Sequence, residues 1–156
     1  MKIQFPTRAA SVVIVLAALT ACGDDEVTGV HTILLPFSTA MTQEVTTTPM
    51  WSGDADGAGS ALITIHAVTG ELCWDMSVSS ILLPATASHI HKAAPGVRGG
   101  IVVGLSAPDA TGVARGCSAN VDRVLLLDII ENPESYYVNV HTTDFAPGAI
   151  RGQLPS

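Results

Sequence analysis

Positive charge is scarce in this chain: Lys and Arg number 7 against 14 Asp and Glu in 156 residues. Lys2 and Arg8 stand ahead of the first apolar run, which leaves Lys92, Arg98, Arg115, Arg123 and Arg151 for everything after it. So acidic a surface repels phosphate backbones and anionic headgroups, so nucleic acid is excluded as a partner and cations are not. Further absences narrow the chemistry. The glycine-rich stretch at 93–100 is followed by a strand pattern and has no lysine with a neighbouring Ser or Thr, so it is no phosphate loop. No Ser/His/Asp set stands at a recognisable spacing. Asp54 and Asp56 lack the other oxygen ligands and the distal glutamate of a calcium loop, and read as a solvated turn. There is no internal repeat and no low-complexity tract.

What is present begins with a targeting segment. Residues 1–21 combine a positive start, Lys2 and Arg8, with an apolar stretch at 9–19 that is too short to span a bilayer, which takes about 20 apolar residues. The run ends Leu19-Thr20-Ala21-Cys22, which resembles the bacterial lipobox. That resemblance implies cleavage before Cys22 and lipidation of its sulfur, so the chain would be anchored to the membrane without crossing it. Gly23, not aspartate, follows the cysteine, which in the sorting pattern of two-membraned bacteria points to the outer membrane. Residues 22–31 read as a tether and 32–156 as one domain.

With Cys22 committed to lipid, Cys73 and Cys117 remain as an even pair in an oxidising setting, and a disulfide is expected. Neither has a Cys or His close by in sequence, which argues against a metal-thiolate site.

Strand patterns dominate the domain. Residues 33–37 contain Pro36, which suits an edge or a strand start, and 42–48 form a second Thr/Val-rich candidate. Residues 60–66 and 71–79 read as a hairpin around Gly70, in which Leu72, Trp74, Met76 and Val78 make one apolar face and Trp74 anchors the core. Residues 87–92, 101–105, 136–142 and 149–154 complete the set. One helix is expected at 122–132, capped by Asp122, stopped by Pro133 and apolar along Val124, Leu127 and Ile130. About eight short strands with frequent turns predict an all-β, antiparallel, Greek-key-like sandwich or barrel with one short helix.

Polar chemistry concentrates in Ala87-Ser88-His89-Ile90-His91-Lys92 and in Tyr136-Tyr137-Val138-Asn139-Val140-His141-Thr142. Alternation along a strand puts His89 and His91 on one face, and Tyr137 and Asn139 on the face of His141. If the two strands are neighbours, three imidazoles converge. His66 stands apart on its own strand.

These two motifs, the first before a glycine-rich loop and the second before Gly148-Ala149-Ile150-Arg151-Gly152-Gln153-Leu154, resemble the CHRD domain, a module first described in chordin and found in bacterial exported proteins. The resemblance covers about residues 33–156, includes Glu44-Val45, and departs from the pattern at Lys92, where many members carry glycine. It implies a β-rich domain, which in chordin accompanies extracellular growth-factor binding. The His-x-His strand facing a later histidine strand also resembles the copper side of copper/zinc superoxide dismutase in arrangement, without its bridging histidine or zinc ligands.

Three readings stay open for His89, His91 and His141: a hydrogen-bonded framework, a copper or zinc site with Asn139 or Asp144 orienting an imidazole, and an interaction surface that needs no chemistry at the histidines. The first and third describe a binding or structural module of the cell envelope, with an envelope or extracellular protein as partner and no enzymatic activity. The second describes a metal-binding envelope protein, with dismutase-like redox activity as its furthest extension. The lipobox reading has its own check: a Cys22→Ser variant should lose lipid labelling and leave the membrane fraction, and unchanged membrane association would refute it.

Overall fold

The computed structural model describes residues 34–47 and 50–156. The expected targeting segment, the expected lipidation site Cys22 and the expected tether lie outside the described residues.

Ten strands are described: β1 (Leu34–Gln43), β2 (Val45–Thr47), β3 (Met50–Ser52), β4 (Ala58–His66), β5 (Glu71–Ser79), β6 (Ala87–Lys92), β7 (Gly100–Leu105), β8 (Val113–Ser118), β9 (Tyr136–His141) and β10 (Ile150–Gln153). One helix, α1 (Arg123–Glu131), precedes β9, with a single 3-10 turn at Pro133–Ser135 between them. Eight strands form one antiparallel sheet in the order β7-β6-β9-β10-β1-β4-β5-β8, while β2 and β3 pair only with each other. The two ends of that order, β7 and β8, approach one another, so the sheet is nearly closed into a barrel. Ser106 bridges the gap, its hydroxyl accepting from Trp74 Nε1 at 2.9 Å and donating to the Arg115 carbonyl at 3.4 Å. Around the barrel β6, β7 and β8 follow one another and β5 returns beside β8, which is the Greek-key order.

Alternation fills the interior. Trp74, Met76, Ile63, Ile65, Ile90 and Val138 point inward and are buried. Pro36 tolerates its place because β10 takes the other side of β1 only at Thr42 and Gln43, leaving the first half of β1 with one neighbour.

Three expectations are corrected. The first expected strand does not stop at Phe37: β1 runs on to Gln43, because Thr39 keeps the inward alternation of Phe37 and Met41 and donates its hydroxyl to the Gln153 carbonyl at 2.6 Å, and the second is only the short β2 from Val45 to Thr47. Beyond Glu44 the chain leaves the barrel as the β2–β3 hairpin. The segment around Cys117 is a strand, β8, whose inward pattern is masked in the sequence by Gly116, where a Cβ would come within 2.6 Å of the Trp74 ring. The helix stands where expected, with Asp122 accepting from the Val124 amide at 2.9 Å. Its fully buried residues are Leu126 and Ile129, however; of the expected stripe only Ile130 packs against the core, half-buried, while Val124 and Leu127 are exposed.

The expected pair is a disulfide: Cys73 and Cys117 face each other across β5 and β8. With a sequence separation of 44 it closes a loop that, in the chain-entropy description, stabilises by about 4 kcal/mol.

The corrected helix face gives a direct test by urea denaturation. Leu126→Ala removes a fully buried side chain and should cost about 2–5 kcal/mol. Val124→Ala, at a residue 74% exposed, should stay within about 0.5 kcal/mol. Equal losses would return the packing face to Val124.

Candidate metal centre

Pairing of β6 with β9 assembles the site. Its register sets His91 opposite Tyr137, His89 opposite Asn139 and Ala87 opposite His141. Ile90, Val138 and Val140 fill the barrel on one face of these strands, so the histidines, Tyr137 and Asn139 stand on the outer face. An outer face is ordinarily wet, yet Tyr137 and Asn139 are buried. A roof covers them, formed by Glu44, the β2–β3 hairpin, residues 93–99 and residues 144–149. Thr47 ties the hairpin to Gly96, its amide donating to that carbonyl at 2.9 Å, and Trp51 Nε1 donates to the Gly148 carbonyl at 2.8 Å.

The three imidazoles converge as the sequence pattern predicted. Ligand nitrogens of His89, His91 and His141 all lie within 4.8 Å of one another. His89 Nδ1 faces His141 Nε2 at 3.2 Å. The remaining contacts settle the tautomers, since a carbonyl oxygen only accepts. His91 Nδ1–H donates to Gly99 O at 3.0 Å, and His141 Nδ1–H donates to Ala146 O at 2.9 Å. Both rings therefore present an Nε2 lone pair. His141 Nε2 meets His89, whereas His91 Nε2 is buried without a partner. These backbone carbonyls, rather than Asn139 or Asp144, orient the imidazoles.

Burial acts on charge. Desolvation pushes His91 down to about 4, against the Gly99 hydrogen bond and with help from His141, His89 and Arg151. Desolvation also lowers His89 and His141, aided at His89 by His141 and at His141 by Arg98. In all three rings burial favours the neutral form, which is the form that binds metal.

Arg151 holds the arrangement from below. Its guanidinium lies 3.3 Å from the Tyr137 ring centre, and Tyr137 stacks on His91 at 4.9 Å with planes 8° apart. The same guanidinium donates to the carbonyls of Val97 at 2.7 Å and Ala94 at 2.9 Å, while Gly99 N–H donates to the Tyr137 hydroxyl at 3.1 Å. The loop that supplies the Gly99 carbonyl to His91 is thus clamped to the strand that carries the stack. At Gly99 itself a Cβ would fall 2.0 Å from Lys92 O, so only glycine fits. Lys92 reaches Asp128 on α1 together with the Tyr136 hydroxyl.

Glu44 is a buried carboxyl that the sequence marked only as part of a motif. Asn139 Nδ2 donates to its Oε2 at 2.6 Å, and burial raises its pKa despite Asn139, Arg151 and Arg98. Gly148, at φ 147°, leaves it room, for a Cβ there would stand 1.4 Å from Oε2. The sequence signal for both Glu44 and Arg151 was a lone charge inside a strand pattern.

The model of the CHRD domain family matches residues 37–154, which take in the whole of this arrangement from Glu44 to Arg151. No curated protein and no solved structure matches the chain. By that match, and by the histidine and C-terminal strands it contains, the chain belongs to the CHRD domain family.

Proposed function

We propose that this CHRD domain is a lipid-anchored, non-enzymatic binding module of the cell envelope whose binding chemistry is one copper or zinc ion held by His89, His91 and His141. Membership of the family supports a binding or structural role, and the histidine cluster supplies its chemistry. The observation that carries the metal reading is the unpartnered, buried Nε2 of His91. A framework histidine buried to this degree would use both nitrogens, because leaving one unsatisfied costs about 1–3 kcal/mol.

The donor set fits such an ion. Neutral imidazoles suit both copper and zinc, at nitrogen distances of about 2.0–2.1 Å. Tetrahedral ligation then requires nitrogens about 3.4 Å apart, a spacing that His89 and His141 already hold at 3.2 Å. The His91 nitrogen lies within 4.8 Å of the other two and moves inward to reach that spacing. The ligand atoms are Nε2 of His91, Nε2 of His141 and Nδ1 of His89, the last freed when its proton moves to Nε2. Carbonyl acceptors behind His91 and His141 fix ring orientation and raise ligand basicity. The excess of acidic side chains favours cation approach.

Calorimetric titration of the full chain carrying Cys22→Ser should show one Cu²⁺ or Zn²⁺ per chain, and His89→Ala/His91→Ala should abolish it. No binding tighter than about 100 μM, or ~5.5 kcal/mol, would leave the histidines as framework residues. The ordinary imidazole value of 6.5 sets where unperturbed ligands would begin to lose metal, and the lowered values move that loss to more acidic pH. Metal-free stability has the matching sign. The unfolded chain takes up protons below about 6.5 while folded His91 resists them to about 4, so stability falls across that window as pH drops. Thermal unfolding of wild type between those limits, with His91→Ala showing a smaller fall, checks it.

A further inference from the structure

The outer face of the sheet carries a second cluster, on β4, β5 and β8, away from the histidine strands in the sheet order. His66 and Glu71 are register partners at the end of the β4–β5 hairpin, with His66 Nε2 4.0 Å from Glu71 Oε2. Cys73 follows Glu71 by two residues and so shares its face. Ligand atoms of His66, Glu71 and Cys73 all lie within 4.8 Å of one another. Cys117 completes the group from β8, since its sulfur is bonded to that of Cys73.

We propose that this face is a redox-gated zinc site: reduction of the Cys73–Cys117 disulfide releases two thiolates that bind one Zn²⁺ together with His66 and Glu71. In the oxidised chain neither sulfur is a thiolate, and His66 and Glu71 alone are too few to retain an ion. Reduction raises the set from two ligands to four, and two thiolates, an imidazole and a carboxylate are a tetrahedral zinc complement.

The step is balanced with a dithiol as reductant. A reductant thiolate attacks Sγ of Cys117, which is exposed, and the sulfur of Cys73 leaves as a thiolate. The second reductant thiol closes its own disulfide and frees Cys117, so two electrons pass from the dithiol to the protein. Zinc then takes both sulfurs as thiolates, and two protons are released in all. Zinc–sulfur bonds of about 2.3 Å place the sulfurs about 3.8 Å apart. Rotation about the Cα–Cβ bonds achieves this without parting the strands, whose Cα atoms at the pair are 4.0 Å apart.

Along the sequence neither cysteine has a Cys or His close by. The hairpin register supplies His66 by folding β4 against β5.

Cobalt is a suitable probe, because tetrahedral Co²⁺ with thiolate ligands has a sulfur-to-metal charge-transfer band and intense visible bands that an all-imidazole site lacks. The protein is the full chain in mild detergent, carrying Cys22→Ser to remove the third thiol and His89→Ala/His91→Ala to silence the other cluster. After reduction with a phosphine, which leaves no competing thiol, one equivalent of Co²⁺ should produce these bands and one equivalent of Zn²⁺ should erase them. The oxidised chain should show neither. His66→Ala and Glu71→Gln, at half-exposed positions, should each weaken affinity at least tenfold. No thiolate bands on reduction would overturn the proposal. Bands of unchanged affinity in both variants would also overturn it, by showing two cysteines binding without the folded face.

Discussion

Everything at the histidine cluster depends on the register between β6 and β9. Side chains alternate with a period of two, so a slip of one residue would turn His89 and His91 into the barrel and Ile90 out of it. The apolar partners on the inner face, Ile90, Val138 and Val140, are what forbid that slip. The hydrophobic core and the polar site are therefore opposite faces of one constraint. Burial of the first determines convergence of the second.

The roof adds what the register cannot. Without it the outer face would be hydrated and its histidines would titrate normally. Glu44, the β2–β3 hairpin and the loop at 93–99 remove that water, and desolvation is the leading cause of the lowered values at all three rings. The same desolvation raises Glu44. Arg151 links the parts, since one guanidinium stacks under Tyr137 and holds two carbonyls of the loop. A single planar group thereby couples the position of Gly99, and with it the tautomer of His91, to the central strands.

The sheet separates two kinds of polar outer face. Over β6 and β9 a roof buries the side chains, and that burial favours neutral imidazoles. Over β4, β5 and β8 the face is open, and Cys117 is accessible to reductant. Both faces gain their chemistry from residues brought opposite each other on antiparallel strands. They differ in whether solvent is excluded.

Local pattern determined much of this protein. Alternation in 71–79 settled which face of β5 holds Trp74, and Asp122 and Pro133 settled the ends of α1, because alternation, capping and proline geometry act over a few neighbouring residues. The pairing of Cys73 with Cys117 was legible once Cys22 was read as the lipidated cysteine of a lipobox. The shared face of His89 and His91 was equally legible. What only the tertiary structure decided lay between segments distant in sequence. Thr39 continues β1 because the Gln153 carbonyl is there to accept its hydroxyl, and Gly116 belongs to a strand because the Trp74 ring fills its missing side chain. Leu126 and Ile129, rather than Val124, face the core because the barrel determines which side of the helix is covered. The burial of Glu44, the carbonyl partners of His91 and His141, and the meeting of His66 with the cysteines have the same origin. Each depends on which strand lies beside which, and that is set by the long-range closure of the sheet, to which no short stretch of sequence has access.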